Sequence, residues 1–346
     1  MHGHTAEQSL RRRNRRAAML ASAGVAVLLL AGCSNASTPG GAQEDESAIT
    51  SIKVIVPADP GGGWDQTGRA LAEVLTQEGI VGSAPVTNIG GAGGTIGLAA
   101  LANEKDPHTL MLTGFVMVGA VETNDSAVRL EDTTPIARLT EEASVIVVPK
   151  DSPYKDLGDL VDDMIDNGKD VSVTGGSAGG VDHILAAQLL KVAGQSSAQI
   201  GEKLNYVPNA GGGEAVTLLL GNKVSAGISG ISEFAEQVKA GELRALAVSS
   251  AEPSDLLPDV PTIIESGYEL EITNWRGVIA SGSISEDDRK ALVAVLDKMH
   301  ESGAWKDILE SKGWADAYMS GVEFDTSLMQ SIGDVNAVLK DLGLID

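Results

Sequence analysis

The feature that most constrains this chain is a repeated unit: a short β-branched apolar segment running into a turn rich in Gly, Ser or Asn. It occurs six times. Residues 52–57 run into ADPGGGWD, 86–89 into GGAGGT, 110–112 into TGF, 171–173 into TGGSAGG, 204–207 into PNAGGG and 224–228 into SGISE. Most of these turns lead into 3.6-residue periodicity, which predicts helices over 65–76, 95–102, 181–192, 214–220 and 232–239. Strands alternating with helices dictate an α/β fold with a mostly parallel sheet covered on both faces. Two further strands are expected at 145–149 and 243–249, and helices at 286–300 and 324–342. Crossings near 145–150 and 245–280 then imply two lobes, one of residues 51–146 plus 252–346 and one of 147–251.

In open α/β sheets ligands bind beyond the carboxyl ends of the strands. Glycine there lets backbone N–H groups approach a ligand closely, and the helix N-terminus that follows adds about half a positive charge. Several such loops can enclose an anion with few cationic side chains. That matters because the chain has 25 Lys and Arg against 48 Asp and Glu, a net charge of −23. Nucleic acid is thereby disfavoured as a partner, since its binding needs Lys and Arg against phosphates. Aromatic residues make up 3% of the chain, too few for a sugar-stacking platform.

The N-terminus reads as an address. Arg11, Arg12, Arg13, Arg15 and Arg16 precede an apolar run over 17–31 that ends in Leu30, Ala31, Gly32 and Cys33. The run falls short of the about 20 residues needed to span a bilayer. The pattern is that of a signal peptide over 1–32 with a lipid-acceptor cysteine at Cys33. Paired Arg15 and Arg16 leave twin-arginine and general export both open. Residues 34–50 (SNASTPGGAQEDESAIT) are small, polar and acidic, so 33–50 is a lipidated tether and the folded body begins near 51. The expected location is the outer face of the cytoplasmic membrane, and the expected state is a monomer. Cys33 is the only cysteine, which excludes disulfides and thiolate clusters.

Three catalytic patterns were weighed. Gly175-Gly176-Ser177-Ala178-Gly179 has the form of a nucleophile elbow, but only His183 and His300 follow it as possible bases. Residues 91–97 (GAGGTIG) approximate a dinucleotide fingerprint, yet no acid ends the next strand at 109–113. His2 and His4 leave with the signal peptide, and no other ligand pair has metal spacing. No enzyme activity, cofactor or metal is expected.

Eight segments, in order, resemble the substrate-binding proteins of tripartite tricarboxylate transporters (TctC/Bug type). They are VIVPADPGGGWDQTGRALAEVL, VTNIGGAGGTIGLAAL, PIARLTEEASVIVVPKDSPYKDLGDLV, VTGGSAGGVDHILAAQLL, LNYVPNAGGGEAV, LRALAVSS, DVPTIIESG and NWRGVIASGSIS. The resemblance implies a two-lobed periplasmic-binding-protein fold of the second type, closing on a small carboxylate and delivering it to membrane permease subunits. It also implies that the loop 60–65 holds a ligand carboxylate through backbone groups and waters. The NWRG and GGS forms resemble the branch named for tricarboxylates such as citrate. Trp64 departs from the Tyr or small polar residue common in that loop, which bears on pocket size.

On this basis Gly61, Gly62 and Gly63 are expected to offer N–H donors, Trp64 to wall the pocket and Asp65 to cap the helix that follows. Gly94 and Thr95 open the second helix towards the cleft, and Thr113 offers it a hydroxyl. Gly176, Ser177, Asn209 and Ser229 are expected from the second lobe. Glu233 is read as structural, because it would repel an anion. Arg276 is the sharpest charged candidate, since its fork matches a carboxylate, with an interlobe ion pair as the rival role. Two other functions stay open: a lipoprotein that senses its ligand for a membrane partner, and an extracellular serine esterase using Ser177.

Overall fold

The computed structural model describes residues 49–209 and 212–345. Cys33, the signal segment and nearly all of the tether lie outside the described residues, as do Ala210 and Gly211 of the fifth glycine turn. The described residues form one compact unit.

The first half opens with strand β1 (Lys53–Val56) and helix α1 (Gly63–Gln77), followed by β2 (Val86–Asn88), α2 (Thr95–Leu101), β3 (Thr109–Gly114) and α3 (Phe115–Thr123). β1 pairs in parallel with both β2 and β3. α1 is amphipathic, and Leu71, Val74 and Leu75 are fully buried. Each such side chain contributes about 1.5–3 kcal/mol of burial. Gly68 lets the helix lie close on β1, where an added Cβ would sit 2.5 Å from Val56 Cγ2. α3 has no polar face and is buried over Met117–Val121, so its even apolarity hid it from a search for periodicity.

The long β4 (Thr134–Pro149) is the pivot of the architecture. The second half continues as α4 (Leu157–Asn167), β5 (Ser172–Gly175), α5 (Val181–Val192), α6 (Ser197–Lys203), β6 (Asn205–Pro208), α7 (Gly212–Leu220), β7 (Ala226–Gly230), α8 (Ile231–Lys239) and β8 (Leu243–Val248). β5 pairs in parallel with β6 and β7, mirroring the first half. The chain returns through β9 (Thr273–Ala280), α9 (Glu286–Glu301), α10 (Gly303–Lys312), β10 (Ala315–Ser320) and α11 (Gly321–Asp341). Serines cap these returning helices: Ser285 accepts from Asp288 N–H and Ser302 from Trp305 N–H.

The strand order is β2-β1-β3-β9-β4-β7-β5-β6, with β8 and β10 also paired to β4. Two parallel triplets are therefore joined through antiparallel β9 and β4, and the sheet is more mixed than the alternation of strands and helices suggests. β4 changes partners between Ala143 and Ser144: its first part pairs with β9 and β10, its last part with β7 and β8. Only 145–149 was legible as strand. The preceding PIARLTEEAS carries charge, yet it enters the sheet because Arg138 pairs with Glu141 and Glu142 pairs with Arg276.

One apolar core lies under α1, α9 and α10, with Val54, Leu75, Leu110, Val278, Leu296 and Trp305. A second lies under α7 and α8, with Val145, Leu219, Phe234, Val248 and Leu257. A third joins Met117 and Val121 of α3 to Leu185 of α5 and Phe324 of α11. Among the described residues, no helix is long and apolar enough to cross a membrane.

Candidate ligand-binding site

The ends of the two parallel triplets face each other. β1 leads into a turn whose Gly61 has φ +103°, a conformation that favours glycine. Gly62 is the N-cap of α1 and provides no side-chain cap, which leaves the first N–H groups of the helix in need of acceptors. Gly63 N–H donates at 2.8 Å to Glu233 Oε1, which comes from the first turn of α8 across the cleft. The anion held at this helix N-terminus is thus a carboxylate of the chain itself.

The same economy recurs at α8. Its Ser232 N–H donates at 2.8 Å to Glu142 Oε1, and Arg276 Nη2 donates at 2.6 Å to Glu142 Oε2. Both side chains of this ion pair are almost completely buried. Gly230 gives Glu142 its room, since an added Cβ would lie 2.7 Å from Glu142 Oε2. Arg276 Nη1, also buried, has no hydrogen-bond partner among the described residues.

Asp182 is the third acid. It stands in the first turn of α5, is buried, and accepts Gly176 N–H at 2.8 Å through Oδ2. Burial pushes its carboxyl up to about 7; the Gly176 N–H, then Ser144 and Arg276, oppose the rise only in part, and the nearby Glu233 adds to it. Glu233 is likewise raised, first by burial and then by the charge of Glu142, against the pull of Arg276, Ser229 and Gly63 N–H.

Gly63, Gly176, Asp182, Gly230, Glu233 and Arg276 line a cavity of about 70 Å³, together with Ala58, Gly62, Trp64, Val116, Ser177, Ser229 and Asn274, while Glu142 stands behind Arg276. A second cavity of about 340 Å³ shares Ala58 and Ser177 with it, and is lined also by Gly93, Gly94, Asn124 and Asn209. Backbone from the two halves meets alongside: a Cβ at Gly119 of α3 would fall 1.9 Å from Gly179 O, and Thr123 Oγ1 reaches Ala178 O at 3.4 Å. Only glycine permits that approach.

The expected residues divide cleanly. Gly62, Gly63, Trp64, Gly176, Ser177, Ser229 and Arg276 line the first cavity, and Gly94, Ser177 and Asn209 the second. Asn209 spends its amide on Thr174 Oγ1 and Gly175 O. Four residues lie elsewhere. Thr113 is fully buried, and its hydroxyl lies 3.5 Å from Met117 Sδ of α3, which packs over that face of β3. Thr95 turns its hydroxyl back to Ala92 O. Gly61 N–H is taken by Asp65 Oδ2. Asp65 itself is not the cap of α1, which starts two residues earlier; it is buried in the first turn and bonded to Arg69 and Asn88.

Sequence reasoning missed Glu142, Asp182 and Asn274. An acid in the first turn after GGSAGG was a readable signal for Asp182, being the pattern of GGGWD over again. Glu142 had no such mark, because its role depends on a strand pairing more than 130 residues away. Glu233 was read as structural, yet it lines the cavity as well as bridging it. Of the two histidines that follow the elbow at Ser177, the nearer in sequence is committed elsewhere. His183 Nδ1 accepts Gly179 N–H at 3.1 Å, its ring stacks on Tyr206, and burial lowers its pKa to about 4.

Residues 66–344 match the family described as the tripartite tricarboxylate transporter family receptor (TctC). The chain belongs to this family of solute-binding receptors. A UPF0065 protein from the TAR-I ttuE-ttuC' intergenic region of Agrobacterium vitis is 32% identical over 82% of this chain and 80% of its own length. BugT of Bordetella pertussis is 30% identical over 75% and 78%. Among solved structures, the periplasmic binding protein BugD superposes with a TM-score of 0.76, at 22% identity over 85% of this chain and 98% of that one. MatC of Rhodopseudomonas palustris with bound malate gives 0.72, at 23% identity over 84% and 98%. An R. palustris protein with adipate gives 0.75, at 21% over 85% and 97%. The fold is thus that of the two-lobed periplasmic binding proteins.

Proposed function

We propose that this receptor captures a small di- or tricarboxylate between its lobes and hands it to the membrane permease subunits of a tripartite transporter. The observation that carries the reading is Arg276, which lines the cavity and stacks over Trp314 while its buried Nη1 lacks a hydrogen-bond partner among the described residues. A buried guanidinium with a spare donor is well matched to a carboxylate. Glycine backbone from Gly62, Gly63 and Gly176 flanks it. The malate and adipate bound by the two R. palustris relatives support the same ligand class.

In this reading the receptor is exported, lipid-anchored at Cys33 on the outer face of the cytoplasmic membrane, monomeric, and without catalysis. The lobes hinge where β4 changes partners, between residues 143 and 144, and where β9 begins, between 272 and 273. We place these limits there in preference to the 146/147 and 251/252 expected from the crossings in the sequence, since residues 257–263 pack and pair beside Val248.

Thermal-shift screening of the full-length chain in detergent, against di- and tricarboxylates, tests the function. A bound ligand at a hundredfold excess over its Kd raises stability by about 2.7 kcal/mol. No shift with any carboxylate, alongside a shift with a neutral sugar or a peptide, overturns the ligand class.

A further inference from the structure

The wall of the first cavity is unbalanced for a receptor of anions. Its charged and polar side chains include one guanidinium, on Arg276, and two carboxylates, on Asp182 and Glu233. Glu233 accepts Gly63 N–H on Oε1 and Ser229 Oγ–H on Oε2. Asp182 accepts Gly176 N–H on Oδ2 and lies 3.5 Å from Ser144 Oγ through Oδ1. A carboxyl group has about four acceptor positions when ionised and retains acceptor capacity when protonated, so both acids can accept a further donor in either state. Asn274, on the same wall, has an Oδ1 that is buried and meets no donor among the described residues.

The donors and acceptors also converge. A Cβ placed on Gly63 would lie 2.4 Å from Arg276 Nη2 and 3.0 Å from Glu233 Oε1. Guanidinium and carboxylate therefore pack side by side against Gly63, and both line the same cavity. A plain dicarboxylate filling it would set its second charge or its methylenes against the acids, leaving buried acceptors unmet.

Building on the carboxylate-receptor reading above, we propose that the site selects a carboxylate carrying a hydrogen-bond donor close to the carboxyl group, a hydroxyl or an ammonium. Arg276 takes the carboxylate, and Glu233, Asp182 and Asn274 take the donor. Discrimination of this kind is large because the cost of a missing donor falls on groups already buried in the protein. Glu233 thus has two duties. It closes the lobes through Gly63, and it reads the ligand.

The test is calorimetric titration of the full-length chain with acids that differ at one carbon: succinate, malate and aspartate, then tricarballylate against citrate. The donor-bearing member of a series should bind at least tenfold more tightly than its donor-free counterpart. Preference for malate or for aspartate tells hydroxyl from ammonium. Glu233→Gln and Asp182→Asn should each narrow that ratio, and the native ratio stands alone as evidence if either variant fails to fold. Equal binding within both series, or ratios unmoved in both folded variants, overturns the proposal while leaving the carboxylate reading intact. Absence of binding by all five acids overturns the carboxylate reading and the proposal together.

Discussion

Asp65 and Asp182 hold matching positions in the two halves of the molecule. Each stands in the first turn of a helix that follows a parallel strand and a glycine turn, and each carboxylate reaches back to a loop N–H, of Gly61 and Gly176 respectively. Their chemistry diverges. Burial alone would raise Asp65, but hydrogen bonds from Arg69, Asn88 and Gly61 outweigh it and hold the acid below the usual carboxylate range. Asp182 has no cation bonded to it, and burial carries it up to about 7. The same local arrangement therefore yields a fixed brace in one loop and a titratable wall in the other. What decides is the neighbour supplied by the tertiary fold, in keeping with the rule that burial, charge and hydrogen bonding act separately on a pKa.

The largest effect should come from removing the cation that partly restrains Asp182. Arg276→Met strands the buried Glu142, a loss of about 3–5 kcal/mol in urea unfolding. It should also move the Asp182 titration further upward. A loss below about 1 kcal/mol would place the pair in water and break the comparison.

Next is Asp182→Asn, whose signature is a pH profile. Asp182 keeps its proton in the folded chain up to about 7, whereas the unfolded chain loses it near ~4. The folded state thus binds more protons across that window, and stability falls as pH rises through it. The fall attributable to Asp182 is on the order of 4 kcal/mol, three pKa units at about 1.4 kcal/mol each. Glu233, raised in the same direction, adds to it, while Arg276 opposes and the neighbouring Tyr206 stays neutral, its own pKa raised by burial and by Asp182. Asp182→Asn should flatten the profile between about pH 4 and about pH 7; an unchanged slope would assign the dependence elsewhere.

Asp65→Asn should behave in the opposite way. Its folded pKa is depressed, so its stabilisation is complete above the unfolded pKa and is lost only as pH falls below that. The variant should lose about 1–3 kcal/mol, uniformly from pH 5 to 8, with the difference shrinking in acid. The smallest change is expected from Arg69→Met, which deprives Asp65 of its cation. Carboxyl NMR should show the Asp65 titration rising towards that of Asp182, and no movement would mean that Asn88 and Gly61 suffice.

The sequence made one part of this comparison legible and hid the other. The glycine turns, the helices behind them and the positions of Gly62, Gly63, Ser177 and Arg276 followed from local pattern and from resemblance. Asp65 was assigned as a cap because a helix start is read from local residues, and Gly62 carries no side chain to mark the true one. Glu142 and Asn274 were invisible because only the pairing of β4 with β9 brings Glu142 to Arg276 and Asn274 to the cavity. Thr113 lies off the cavity because its hydroxyl meets Met117 of α3, an evenly apolar helix that leaves no periodicity to read.

The most direct test follows the aspartate carboxyls by carbon-13 NMR, with pH titration of the full-length chain in the presence and absence of malate. The account predicts that Asp182 titrates near 7 and shifts its midpoint when the ligand binds, while Asp65 stays low and unmoved. A midpoint shift at Asp65 alone, or two aspartates titrating together in the ordinary carboxylate range and indifferent to every carboxylate that binds, would contradict it.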